Sequence, residues 1–112
     1  MSDCIFCRII NGEIPTQVLH EDPLVMAFRD INPAAPVHIL IIPKKHLPDV
    51  CDLEAGEPDL WAAMIKAVKL LAEREGIAES GFRMVVNTGE QAGQTVKHMH
   101  LHLLGGRSFS GF

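Results

Sequence analysis

Apolar and polar positions along this chain change period several times, and each change marks an element. Ile5, Phe6, Ile9 and Ile10 recur at helical spacing, which makes one face of a short helix apolar. Asp3 stands where a cap is needed, the helix is expected to run through Asn11, and Gly12 is its stop. Ile14-Pro15 breaks the pattern. Short strands are predicted from Gln17 to Glu21 and from Leu24 to Arg29, with a turn at Asp22-Pro23. Asp30 to Pro36 contains Asn32-Pro33 and Pro36 and reads as loop. Val37 to Ile42 is the most β-branched stretch and reads as a strand ended by Pro43.

Pro48 to Gly56 is a connector. A long helix is predicted over Pro58 to Glu75, with Leu60, Trp61, Met64, Ile65, Val68, Leu71 and Ala72 as its apolar stripe. Glu57 and Asp59 near its start, Lys66 and Lys69 further on, and Gly76 as its stop suit the helix dipole. Phe82 to Asn87 reads as a strand, Thr88 to Gln94 as a glycine-containing loop, and Lys97 to Leu104 as a strand with two faces. Gly105-Gly106 and a tail to Phe112 follow. Three strands before the long helix and two after it predict an α+β fold: a five-stranded, mainly antiparallel sheet with one long and one short helix.

Composition narrows the function classes. The 112 residues fit a single domain over 1–112. Hydrophobic residues make up 47% and charged ones 21%, which excludes a disordered chain. The longest apolar stretch, Val37 to Pro43, is far short of the roughly 20 residues a membrane helix needs, so no membrane partner is expected. Net charge is −4, and no basic run exceeds Lys44-Lys45, which argues against a nucleic-acid partner. Residues Met1 to Cys4 show no basic segment before an apolar run, so no secretory signal is expected. Three cysteines, an odd number, then read as reduced thiols or metal ligands in a cytoplasmic protein.

The strongest chemical signal is His98-Met99-His100-Leu101-His102-Leu103-Leu104. Alternation by two puts three imidazoles on one face of a strand and Met99, Leu101 and Leu103 on the other. Two chemistries compete: a three-histidine metal site as in a zinc hydrolase, and an imidazole nucleophile whose imidazole neighbours bind an anion. The second is favoured for His100 and His102. The nearest acid before the triad is Glu90 and none follows it, whereas a catalytic zinc wants carboxylates close by. Glycines at 89 and 93 and Thr95 precede the triad, and such a loop aims N–H groups and a hydroxyl at phosphate. Neutral imidazole is also a good nucleophile near pH 7.

The run His98 to Leu104 resembles the motif of the histidine triad (HIT) family. Gly93-Gln94-Thr95-Val96-Lys97, Val85-Val86-Asn87-Thr88-Gly89, Ala27-Phe28-Arg29-Asp30-Ile31-Asn32-Pro33, Pro36-Val37-His38 and Ile42-Pro43-Lys44-Lys45-His46 also look like that family. The likeness runs from Cys4 to Arg107 and is strongest to the Hint-like branch, small dimeric hydrolases of purine nucleoside phosphoramidates. It implies that His100 is the nucleophile, that His102 contacts the phosphate, and that His98 and His38 support them. It places Asn87, Gly93, Gln94 and Thr95 along the phosphate and leaving group, Asp30 on the ribose hydroxyls, and Ile5, Phe6, Phe28 and Ile31 around the base. Read without the resemblance, Phe6, Phe28 and Ile31 are equally core residues, Asp30 a turn former and His38 a structural histidine.

Cys4-Ile5-Phe6-Cys7 has the spacing of a redox pair or of two zinc ligands. Two buried free thiols are the third reading. Almost nothing precedes the pair, whereas a thioredoxin-like motif needs a preceding strand. The resemblance supplies two further zinc ligands, His46 and His98, and implies a structural Zn²⁺ that pins the first helix to the sheet. Some relatives lack the cysteines and still work. Cys51 has no partner in sequence.

Three function classes follow. One is a hydrolase of purine nucleoside phosphoramidates, with dinucleoside polyphosphate hydrolysis as the alternative substrate class. The second is a non-catalytic purine-nucleotide-binding module, and the third a zinc-stabilised adaptor. The resemblance also implies a homodimer, with the long helix around Trp61 to Leu71 and an edge strand at the interface. Many relatives carry a longer C-terminal tail, and Thr95 stands where serine is common, so leaving-group preference is the least transferable property.

Overall fold

The computed structural model describes residues 3–54 and 57–111. Part of the expected connector, Ala55 and Gly56, and the chain ends at Met1, Ser2 and Phe112 lie outside the described residues. Helix α1 is Ile5–Ile10, followed by strands β1 (Val18–Glu21), β2 (Val25–Arg29) and β3 (Val37–Pro43). Helix α2 (Pro58–Arg74) leads to β4 (Phe82–Val86) and β5 (Leu101–Gly105), with short 3₁₀ turns at Val50–Asp52 and Glu90–Ala92. The five strands form one sheet in the order β1-β2-β3-β5-β4. Every pairing is antiparallel, so the α+β expectation holds and "mainly" becomes wholly.

Alternation divides the sheet between two cores. Val25, Ala27, Val37, Ile39, Ile41, Met99, Leu101 and Leu103 face α2, which contributes Leu60, Met64, Ala67, Val68, Leu71 and Ala72. Met26, Phe28, Leu40 and Ile42 face the other way and pack with Phe6 of α1. β3 is buried on both faces throughout, which is why it reads as an unbroken apolar run. Each fully buried aliphatic side chain here contributes roughly 1.5–3 kcal/mol.

Three expectations are corrected. Asp3 does not cap α1; Cys4 does, its Sγ accepting from the Cys7 N–H at 3.4 Å. Trp61 is 40% exposed, because the stripe that meets the sheet turns toward Ala67 and away from it. The histidine strand begins at Leu101, not Lys97. Upstream of it the Met99 N–H donates to Leu47 O (2.7 Å), and the His98 carbonyl is taken by the His100 side chain. Side-chain and crossing contacts therefore hold residues 98 to 100 where a sheet ladder was expected.

Candidate active site

Although the ladder starts late, the two-faced pattern persists. Met99, Leu101 and Leu103 enter the α2 core, and the three imidazoles turn to the α1 face, His98 and His100 buried and His102 half-buried. His100 and His102 have ring centroids 5.0 Å apart. In β3, Leu40 pairs with His102 and His38 with Leu104. His38 and His102 are thus diagonal neighbours on one face, within reach across the strand pair.

Carbonyl oxygens only accept and backbone N–H groups only donate, so the hydrogen bonds fix the tautomers. The His100 Nδ1–H donates to the His98 carbonyl (2.8 Å), which leaves Nε2 with a free lone pair. The Ala34 N–H donates to His38 Nδ1 (3.0 Å), so the His38 proton sits on Nε2. From there it is donated to His102 Nδ1 at 2.9 Å, with Asp30 Oδ2 also 3.5 Å away. His102, accepting on Nδ1, carries its own proton on Nε2. Burial holds the His102 pKa down at about 4, helped by the neighbouring His100 and His38. At neutral pH His102 is therefore an uncharged hydrogen-bond donor beside the His100 ring.

The His100 and His102 rings border a cavity of about 610 Å³. Its walls include Ile5, Phe6, Phe28, Asp30, Ile31, Thr95, His100 and His102, so eight of the expected site residues meet there. Phe6 presents edge contacts to Phe28, His98 and His100 at 5.7, 5.7 and 5.1 Å between centroids. Ile31 is 90% exposed and stands at the rim, not in the core. One Asp30 oxygen accepts from the Asn32 N–H (2.8 Å).

The loop residues divide differently. Thr95 borders the cavity, whereas Asn87, Gly93 and Gln94 are not among its lining residues. Gln94 is buried. Its Nε2 donates to the carbonyls of Pro48 (2.6 Å) and Val96 (2.9 Å), and its Oε1 accepts from the Gly89 N–H (2.9 Å). Its amide therefore braces the loop. Gly89 and Gly93 have φ of 88° and 86°, a region that glycine enters without strain. Leu40, Ile9 and Val96 also line the cavity and were not singled out as site residues. The signal for Leu40 lay in β3, where it shares a face with His38.

His98 belongs to a second cluster. Its Nε2–H donates to Pro43 O (2.8 Å), which turns a bare Nδ1 toward Cys4 Sγ (3.4 Å), Cys7 Sγ (3.6 Å) and His46 Nδ1 (3.1 Å). Cys7 Sγ lies 3.2 Å from His46 Nδ1. Tetrahedral zinc, bonded at about 2.0–2.1 Å to nitrogen and about 2.3 Å to sulfur, spaces its ligands by roughly 3.3–3.8 Å. The two sulfur separations from His98 fall in that range and the two from His46, at 3.1 and 3.2 Å, lie just below it, so two thiols and two imidazoles match the donor set of that ion and come close to its spacing. Burial lowers the His98 pKa despite the Pro43 hydrogen bond, favouring the neutral form that a metal needs.

A two-faced antiparallel sheet with three imidazoles on one face, two just before β5 and one within it, defines a class. The chain belongs to the HIT domain family, whose pattern matches residues 11–109. It is 50% identical over 105 residues to the purine nucleoside phosphoramidase of Escherichia coli (strain K12), covering 94% of this chain and 88% of that protein. It is 46% identical over 110 residues to a 14 kDa zinc-binding protein of Brassica juncea, covering 96% of each. Among solved structures, a HIT family hydrolase from Legionella pneumophila superposes with a TM-score of 0.93 at 48% identity, covering 96% of both chains.

Proposed function

We propose that this protein hydrolyses purine nucleoside 5′-phosphoramidates through a nucleotidyl-histidine intermediate on His100. The observation that carries this reading is the His100 tautomer. Its Nδ1–H is committed to the His98 carbonyl, and its Nε2 faces a cavity with an apolar slot for a base and a carboxylate for the ribose hydroxyls. The Nε2 lone pair attacks phosphorus, the P–N bond breaks, and the leaving nitrogen takes up a proton. Water then attacks phosphorus, giving the nucleoside monophosphate and restoring His100. His102 Nε2–H and the Thr95 hydroxyl serve the phosphoryl oxygens as donors. Asp30 accepts from the ribose diol, and Ile5, Phe6, Phe28 and Ile31 hold the base. Asn87, Gly93 and Gln94 act through the shape of the phosphate loop.

Cys4, Cys7, His46 and His98 would hold a structural Zn²⁺; with four protein ligands it supplies cross-linking and no open coordination position. A second copy of the chain is proposed to pair at the β4 edge and the outer side of α2, where Trp61, Phe82 and Met84 are exposed. A cytoplasmic setting suits a cysteine pair kept reduced.

Polyphosphate substrates are disfavoured by charge. Arg29, at the cavity wall, is bound by both terminal guanidinium nitrogens to Glu75 (2.8 and 3.1 Å) and is not free to meet a polyphosphate tail. Turnover of an adenosine phosphoramidate and of diadenosine tetraphosphate, by wild type and His100→Ala, tests the reading. Wild type is expected to prefer the phosphoramidate. The variant is expected to lose at least about 10³-fold in kcat while still binding adenosine monophosphate. Full activity in the variant overturns the mechanism.

A further inference from the structure

We propose that Cys4 and Cys7 form a redox-sensitive latch on the nucleoside cavity, closed as a reduced pair with His46 and His98 and opened when the two sulfurs oxidise to a disulfide. The latch rests on the nucleotide reading above and adds its regulation.

Helix α1 has six residues, too few to be stable without tertiary ties. Three of them, Ile5, Phe6 and Ile9, wall the cavity. The sulfurs at its first turn tie it to His98 and His46; Phe6, which packs with Phe28 and two imidazoles, is its buried residue. The reacting groups are anchored elsewhere. His100 is held by the His98 carbonyl and His102 by His38, and His98 keeps its bond to Pro43 without any sulfur. Releasing the sulfurs therefore loosens the walls that grip the base and leaves the nucleophile in place. Affinity should change and chemistry should not.

Access and chemistry both allow the switch. Cys4 borders an open groove of about 520 Å³ shared with Asp3, His46 and Lys97, wide enough for a small disulfide such as oxidised glutathione. The ligand atoms of the cluster, both sulfurs included, lie within 4.8 Å of one another, and the Cys-x-x-Cys spacing is one that redox pairs use. One cysteine thiolate attacks the external disulfide and expels a glutathione thiolate. The second attacks the mixed disulfide and expels the other. The two cysteines lose two electrons, the external disulfide gains them, and any cation held by the thiolates is released.

The test uses the full chain in a Cys51→Ser background, so that the exposed third thiol takes no part. Adenosine monophosphate affinity and amide exchange in α1 are measured in zinc-loaded reduced protein and after oxidised glutathione. Oxidation is expected to consume two thiols, weaken adenosine monophosphate binding by about tenfold or more, raise KM with kcat within about threefold, and unprotect α1. Dithiothreitol with zinc should reverse all of it. A double variant Cys4→Ser/Cys7→Ser should not respond to the oxidant. The latch is overturned if no disulfide forms, if it forms without changing affinity and exchange, or if the double variant responds as wild type does. Absence of turnover in the reduced protein would instead strike the phosphoramidate reading, since affinity and exchange need no turnover.

Discussion

Cys4, Cys7, His46 and His98 on one side of the site, and Asp30, His38 and His102 on the other, both bring metal-type donor atoms within 4.8 Å of one another. By composition either could take a divalent cation. The hydrogen bonds behind the rings separate them. His98 donates from Nε2 to a carbonyl, so its other nitrogen enters the cluster bare. His38 accepts on Nδ1 from the Ala34 N–H, so the nitrogen that faces His102 and Asp30 carries a proton and repels a cation. One backbone acceptor leaves the first cluster with a nitrogen open to a cation, and one backbone donor leaves the second with a proton donated from His38 to His102. Outer partners decide what a histidine does as much as its neighbours in the site.

The largest expected effect that sharpens this contrast is at His38. His38→Ala removes the donor that fixes the His102 tautomer, and kcat is expected to fall by about 10²-fold with a smaller change in KM. His38→Gln, whose amide offers both a donor and an acceptor, should recover part of the loss, a rescue that a purely packing role would not show. The mirror experiment is on the first cluster. Stripping metal with a chelator, or Cys7→Ser, is expected to lower Tm by several degrees, because ligand binding to the folded state alone adds stability. His38→Gln should leave metal content unchanged. A variant of the second cluster that loses metal would break the contrast.

The smallest effect is in the pH dependence of stability. The folded-state His102 pKa is about 4, below the roughly 6.5 of an unfolded chain. As pH falls from about 6.5 toward about 4, the unfolded state binds a proton there and the folded state does not, so stability is lost with falling pH. His102→Gln should therefore show a smaller drop in urea midpoint between pH 7 and pH 5 than wild type. Equal drops would mean that His102 is not held neutral.

How much of this was legible in the sequence follows from the range of each interaction. The run Val37 to Ile42 declares a strand locally and the alternation His98 to Leu103 declares two faces, and both are as expected. The start of β5 was missed because backbone groups at His98 and Met99 are claimed by a side chain and by Leu47, which no local pattern encodes. The Cys4–His98 contact spans 94 positions and was reachable only through the family resemblance. The His38–His102 bond depends on the β3–β5 register, and the Gln94 brace depends on three backbone groups brought together by folding. Neither leaves a periodic trace.

The tautomers of the four site histidines test the central claim most directly. Long-range ¹⁵N–¹H correlation spectra of selectively ¹⁵N-histidine-labelled protein, recorded at pH 7 with zinc bound, distinguish protonated from bare ring nitrogens. The account predicts Nδ1–H with a bare Nε2 for His100, Nε2–H for His38 and His102, and Nε2–H with a metal-shifted Nδ1 for His98. A proton on His100 Nε2, or on His38 Nδ1, would contradict it.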